Sequence, residues 1–142
     1  MGVTIESQHR SIDLGYGGFR NLRMKVAELT APDIYEHYEY LEQSVDMDSR
    51  EREKFFDSYN QKIQELDEKY DGKYTYILDF LYASDCNASM DLEHCKGIWE
   101  IIKEYDDKVC YGYIGRPDCA MFSDFKEVIK DAIESSEGIE WI

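Results

Sequence analysis

Apolar and polar residues alternate twice near the N-terminus, in Val3-Thr4-Ile5-Glu6 and Ser11-Ile12-Asp13-Leu14, with the polar Ser7-Gln8-His9-Arg10 between them. That period of two predicts a β-hairpin. The period then lengthens. Phe19, Leu22, Val26 and Leu29 fall at helical spacing and predict a helix from about Gly18 to Thr30. The same spacing sets Arg20 and Arg23 off the Leu22–Val26 line, one turn apart on a neighbouring face. Pro32 fits the first turn of a second helix, with Ile34, Tyr38, Leu41 and Val45 as its buried stripe. Asp48 with Glu51 three residues on predicts the start of a third helix. Phe55, Phe56, Tyr59, Ile63, Leu66 and Tyr70 form its apolar face, and Gly72 ends it.

Tyr74, Ile77, Leu78, Leu81 and Tyr82 predict a short helix. A turn follows over Ser84-Asp85-Cys86-Asn87-Ala88-Ser89, then a helix from about Met90 to Tyr105 with Leu92, Cys95, Trp99 and Ile102 on one face. Val109 to Ile114 reads either as a short strand or as an irregular aromatic loop. A last helix, from Asp118 or Ser123 to Ser136, uses Phe122, Phe125, Val128, Ile129, Ala132 and Ile133, with Gly138 closing it. The alternating tail Ile139-Glu140-Trp141-Ile142 is expected to add a strand to the hairpin. The sum is one helix-rich α+β domain over residues 1–142, with a small antiparallel sheet made from the two chain ends. There is no internal repeat and no linker of Pro, Gly or Ser character.

Charge changes this picture most. Residues 1–26 carry Arg10, Arg20, Arg23 and Lys25 against Glu6 and Asp13, whereas the whole chain has a net charge of −15. Residues 27–71 hold fourteen acids against five bases, which reads as solvated helix faces. Such a balance argues against direct binding of nucleic acid or an anionic membrane, both of which draw on Lys and Arg. It is compatible with docking onto a basic protein. Twelve tyrosines against six phenylalanines favour partly buried surfaces. The start Met1-Gly2-Val3-Thr4-Ile5-Glu6 has neither the pattern of a signal peptide nor a good myristoylation signal, and no apolar stretch approaches membrane-spanning length. A cytoplasmic protein with four reduced cysteines is the expectation.

The only glycine cluster, Gly15-Tyr16-Gly17-Gly18, opens the basic helix. Glycines let a backbone approach a ligand, and a helix N-terminus offers free N–H groups to an anion. Arg20, Arg23 and Lys25 with Tyr16 and Phe19 therefore form the candidate site: arginines grip an anion and an aromatic ring stacks on a planar group. The competing reading is that these bases pair with nearby carboxylates and Phe19 is core. Other chemistry is weaker. The cluster is neither a P-loop nor a dinucleotide fingerprint. His9, His37 and His94 sit in no nucleophile-centred motif. Asp85-Cys86-Asn87-Ala88-Ser89 lacks the glycine of a calcium loop, and Lys96 stands where the bidentate Glu belongs. An Asx-type turn capping the next helix, with Ser89 or Asp91 at its start, is the plainer reading. Cys86–Cys95 and Cys110–Cys119 are both nine apart, wider than the close pairs of zinc sites, and a disulfide is expected even less. Cys95 reads as a small buried hydrophobe.

Tyr16-Gly17-Gly18-Phe19-Arg20-Asn21-Leu22-Arg23 at the opening of a helix, Ser84-Asp85-Cys86 in a turn with Cys95 beyond it, and a final amphipathic helix with a short apolar tail together resemble a family of small uncharacterised proteins of bacterial genomes and phages. Its members look like Tyr-x-Gly-Phe-x-x-(Leu/Phe)-Arg at the start and Ser-Asp-Cys-Asp-Gly before an acidic helix start. The resemblance covers roughly the first thirty and last sixty residues, and departs at Asn87-Ala88, where the family has Asp-Gly. It brings no activity with it. It implies that the Arg23 segment and the Asp85-Cys86 turn share one core or site, and that the protein is a small accessory that binds or inhibits something. The resulting expectation is a non-enzymatic, counter-defence-like binding protein, without metal or cofactor. It would sequester a small anionic ligand such as a nucleotide, with Tyr16 or Phe19 stacking, Arg20 and Arg23 on phosphate, and Asp85 accepting from ribose or base. The alternative is an acidic inhibitor docking by residues 33–71 on a basic partner.

Overall fold

The computed structural model describes residues 2–113 and 119–142. Ile114 and Asp118, which the sequence left between alternatives, lie outside the described residues. The hairpin forms as β1 (Gly2–Glu6) and β2 (Ser11–Gly15), with Val3 opposite Leu14 and Ile5 opposite Ile12. The chain end returns as β4 (Ile139–Trp141) and pairs antiparallel with β1, Ile5 facing Trp141. A strand that the sequence did not announce, β3 (Ala88–Met90), covers the far edge of β4 and completes the order β2-β1-β4-β3. Because the side chains alternate, Val3, Ile5, Leu14, Ile139 and Trp141 are buried on one face. On the outer face Thr4 donates to Asp13 at 2.7 Å.

Among the described residues six α-helices pack against and beside that face: α1 (Tyr16–Thr30), α2 (Pro32–Tyr40), α3 (Ser49–Lys69), α4 (Thr75–Tyr82), α5 (Leu92–Ile102) and α6 (Phe122–Glu134). The Asp48 carboxylate accepts from the Glu51 N–H, so the expected cap of α3 is present. Asp91, rather than Ser89, caps α5 through the His94 N–H. His94 also ties two helices together. Its Nδ1 meets Asp91 and its Nε2 meets Asp79 on α4, each at 2.7 Å. Burial alone would lower the His94 pKa, but hydrogen bonds to the two carboxylates outweigh it and raise the value.

The structure corrects several expectations. Val45 is 71% exposed, because α2 gives way to a 3-10 turn at Leu41–Ser44 and the stripe ends there. Gly138 does not close α6. The left-handed residue is Ser136, and a Cβ on Gly138 would overlap the Met90 carbonyl where β4 meets β3. Cys110 and Cys119 form a disulfide with Cα atoms 6.0 Å apart, within the usual range for the bond. The Tyr111 N–H is bonded to the Ala120 carbonyl and Cys110 is bridged to Met121, so residues nine apart become neighbours. Cys95 is fully buried, and burial pushes its thiol up to about 11.

The glycine cluster divides by role. A Cβ on Gly18 would overlap the Tyr111 carbonyl, so this glycine lets α1 touch the 111–112 backbone rather than a ligand. Gly17 faces open space. Gly18→Ala is therefore expected to cost about 1–3 kcal/mol, as overpacking against backbone does. Gly17→Ala is expected to be neutral or stabilising by up to about 0.5 kcal/mol, because alanine has less chain entropy to lose. Urea unfolding of the two variants checks the contrast.

Candidate functional site

The first turn of α1, the C-terminal end of α4 and the inner faces of α2 and α3 enclose a cavity of about 680 Å³. Tyr16, Phe19, Arg20, Arg23 and Asp85, the five residues singled out from the sequence, all line it. They do not share one kind of position. Tyr16 stands at the rim, 40% exposed, where Cys86, burial and Asp85 raise the pKa of its phenol. Asp85 is exposed on the turn after α4. Phe19 is 1% exposed and packs edge-on against Phe80 and Trp141, so it is core and cannot stack on a ligand.

Arg23 is the residue that the pattern misplaced. It is 4% exposed, although the helical spacing set it away from the apolar line. Its guanidinium lies 4.2 Å from the Phe19 ring centre, with Trp141 and Phe80 at 5.4 and 5.7 Å. Phe19 is four residues earlier on the same helix, so the two side chains share a face. Nη2 donates to the Ser84 carbonyl at 3.2 Å, which also accepts from Trp141 Nε1 at 2.8 Å. The Arg23 helix and the Asp85-Cys86 turn thus meet at one carbonyl. Burial lowers the Arg23 pKa, while Tyr38 and Asp85 push it back up.

The bases of this segment pair with carboxylates in every case but one. Lys25 meets Glu28 at 3.1 Å and Arg20 meets Glu42 at 3.1 Å, whereas Arg23 has no ion pair among the described residues. Its Nε has no hydrogen-bond partner. Neither has Arg20 Nη2, which faces Glu42 without hydrogen-bond geometry, nor the Tyr59 hydroxyl. The Tyr82 hydroxyl interacts with that of Tyr59, although the geometry falls short of a regular hydrogen bond. Among the described residues these three are the buried side-chain polar atoms without a regular hydrogen bond, and all three belong to residues that line this cavity.

The aromatic walls come from elements that the sequence did not connect with the site. Tyr38 of α2, Phe56 and Tyr59 of α3, and Tyr82 of α4 each sit on or beside an apolar stripe and read as ordinary core. His37 holds two of them in place. Its Nδ1 contacts the Tyr82 hydroxyl at 2.6 Å, its Nε2 the Tyr59 carbonyl at 3.2 Å, and its ring stacks on Tyr59 at 3.9 Å. Burial lowers the His37 pKa, which favours a neutral ring donating from Nε2 and accepting from Tyr82.

The Ser84 hydroxyl accepts from the Cys86 and Asn87 N–H groups, so serine rather than Asp85 organises the turn. Another surface cluster brings Ser7, His9 and Asp131 together, but Ser7 donates straight to Asp131 at 2.6 Å and His9 contacts the same carboxylate. With serine and histidine both on the acid, no base faces the hydroxyl, and the cluster fastens the hairpin turn to α6. Among the described residues no helix is long and apolar enough to cross a membrane, and no three His, Cys, Asp or Glu side chains gather as a metal site requires. No protein-family model, no curated protein and no solved structure matches this chain.

Proposed function

We propose that the cavity holds a small anionic, partly planar ligand such as a nucleotide, and that the protein acts by sequestering it without chemistry. One observation carries this reading: among the described residues, the three buried side-chain polar atoms without a hydrogen bond all belong to residues that line one cavity, and one of these residues is an arginine with no ion pair. An unmet buried polar atom costs about 1–3 kcal/mol, and a charged one more. A bound anion removes that cost. Arg23 and Arg20 would take the charge, and Tyr16 would stack at the rim. Asp85 would accept from a hydroxyl or amine of the ligand. The first turn of α1 adds free N–H groups, since Gly15 gives no side-chain cap.

In this reading the protein is a counter-defence-like accessory of phage or mobile-element character, acting in the cytoplasm where nucleotides are. The Cys110–Cys119 disulfide is the feature that speaks against a reducing compartment. The alternative, docking of the acidic 33–71 face on a basic protein, has less support. Asp33 is paired with Lys69 and Glu42 with Arg20, and α3 carries five bases against six acids.

Thermal unfolding against mono-, di- and cyclic nucleotides tests the proposal. A ligand at a hundredfold excess over its Kd stabilises by about 2.7 kcal/mol, on the order of 10 °C for a chain of this size. The shift is expected to be lost in Arg20→Glu. Absence of a shift with every nucleotide would overturn the proposal.

A further inference from the structure

The charges around the cavity restrict what it can hold. Among the described residues its lining contains two cations, Arg20 and Arg23, one anion, Asp85, and no Lys or His. Arg20 is paired with Glu42 just outside. The Arg20–Glu42 pair cancels and Asp85 is exposed on its turn, in a chain of net charge −15. Among the described residues of the lining, Arg23 is then the one buried cation without an ion pair, and it is left to neutralise a ligand. A phosphodiester or a carboxylate carries one negative charge, whereas a terminal phosphate carries about −1.5 to −2 at neutral pH. The second charge of a terminal phosphate would have no partner here, where unpaired charge is expensive. The uncapped first turn of α1 can donate to further oxygens of the anion, but its partial charge is only about half a unit. The inner walls are rings: Tyr38 and Tyr59 are each 4% exposed, with Phe56 and Tyr82 beside them.

Resting on the anion-site reading above, we infer that the cavity selects a singly charged planar anion, a phosphodiester or an aromatic carboxylate, over the same planar body bearing a terminal phosphate. The phosphodiester is the nucleotide form that satisfies both the charge and the rings.

Isothermal titration calorimetry with three probes tests this: cyclic 3′,5′-AMP, 5′-AMP and indole-3-carboxylate. At pH 7.5 the cyclic nucleotide or the carboxylate should bind at least 10-fold more tightly than 5′-AMP. Lowering the pH to 5.5 converts most 5′-AMP to its monoanion, since the second phosphate pKa is about 6, and its affinity should rise roughly 20-fold. The charge of cyclic 3′,5′-AMP is unchanged over that range, so its affinity reports any titration of the protein groups facing the site. Those groups are Arg20, Arg23, Asp85, Glu42, Cys86, the phenols of Tyr16, Tyr38, Tyr59 and Tyr82, and His37 behind them. The pH effect is read relative to this control. If 5′-AMP binds as tightly as the monoanions at pH 7.5, or gains nothing relative to the control at pH 5.5, the inference is overturned and the anion site stands. If none of the three binds, the anion site and the inference fall together.

Discussion

Arg23→Met is expected to fold with the same stability as the parent chain or greater, while losing anion binding by on the order of 100-fold, the scale of removing a buried charged partner. The two halves of this result have one cause. Arg23 is 4% exposed without an ion pair among the described residues, so the folded state bears the cost of a desolvated charge. Contacts with three aromatic rings and one carbonyl repay part of it, at about 0.5–2 kcal/mol for cation–π attraction and about 1.5–3 kcal/mol for a charged hydrogen bond. Met fills a similar volume without the charge. The Ser84 carbonyl keeps its bond from Trp141 at 2.8 Å, so no acceptor is stranded. Replacing buried charge with apolar volume in other proteins is often neutral or stabilising by about 1–4 kcal/mol. Arg23→Glu is a poorer test, because it would bury a carboxylate among the same rings. Urea unfolding and calorimetric titration, run side by side, check both halves.

Trp141→Ala is expected to have the largest effect on stability, about 3–5 kcal/mol by loss of a fully buried indole. Trp141 is 0% exposed and lies on the last strand, edge-on to Phe19 at 5.4 Å and to Phe80 at 5.9 Å. It joins the sheet to α1 and α4, and shares the Ser84 carbonyl with Arg23. The truncation would remove the floor of the Arg23 site as well as core volume, so binding should fall with stability. Trp141→Phe keeps a ring and loses the N–H bond, and should cost about 1–2 kcal/mol. Denaturant midpoints for the two variants separate packing from the hydrogen bond.

The elements that were legible in the sequence are those whose apolar residues keep a strict period. The hairpin, the Asp48 cap, α6 and the returning strand with Trp141 fall close to where the spacing puts them. The strand β3 is not legible because Ala88-Ser89-Met90 is too short for its alternation to stand out, and it is held by backbone pairing to β4. The disulfide escaped because the close pairing of Tyr111 with Ala120 leaves no mark on spacing. For the site, the glycine–arginine segment pointed to the right place, since all five chosen residues line the cavity. Its inner logic was hidden. Arg23 reads as solvent-facing by its charge, yet the four-residue step from Phe19 lays it across that ring. Tyr38, Tyr59 and Tyr82 read as core, and nothing short of tertiary structure shows that they wall one space from three helices. The excess of tyrosine over phenylalanine was the available hint.

The most direct measurement of the central claim is the melting temperature of the parent chain and of Arg23→Met, each with and without cyclic 3′,5′-AMP. The account predicts that the nucleotide raises the melting temperature of the parent alone, and that unliganded Arg23→Met melts no lower than the parent. A variant that melts well below the parent, with no nucleotide shift in either protein, would make Arg23 a structural residue and contradict the account.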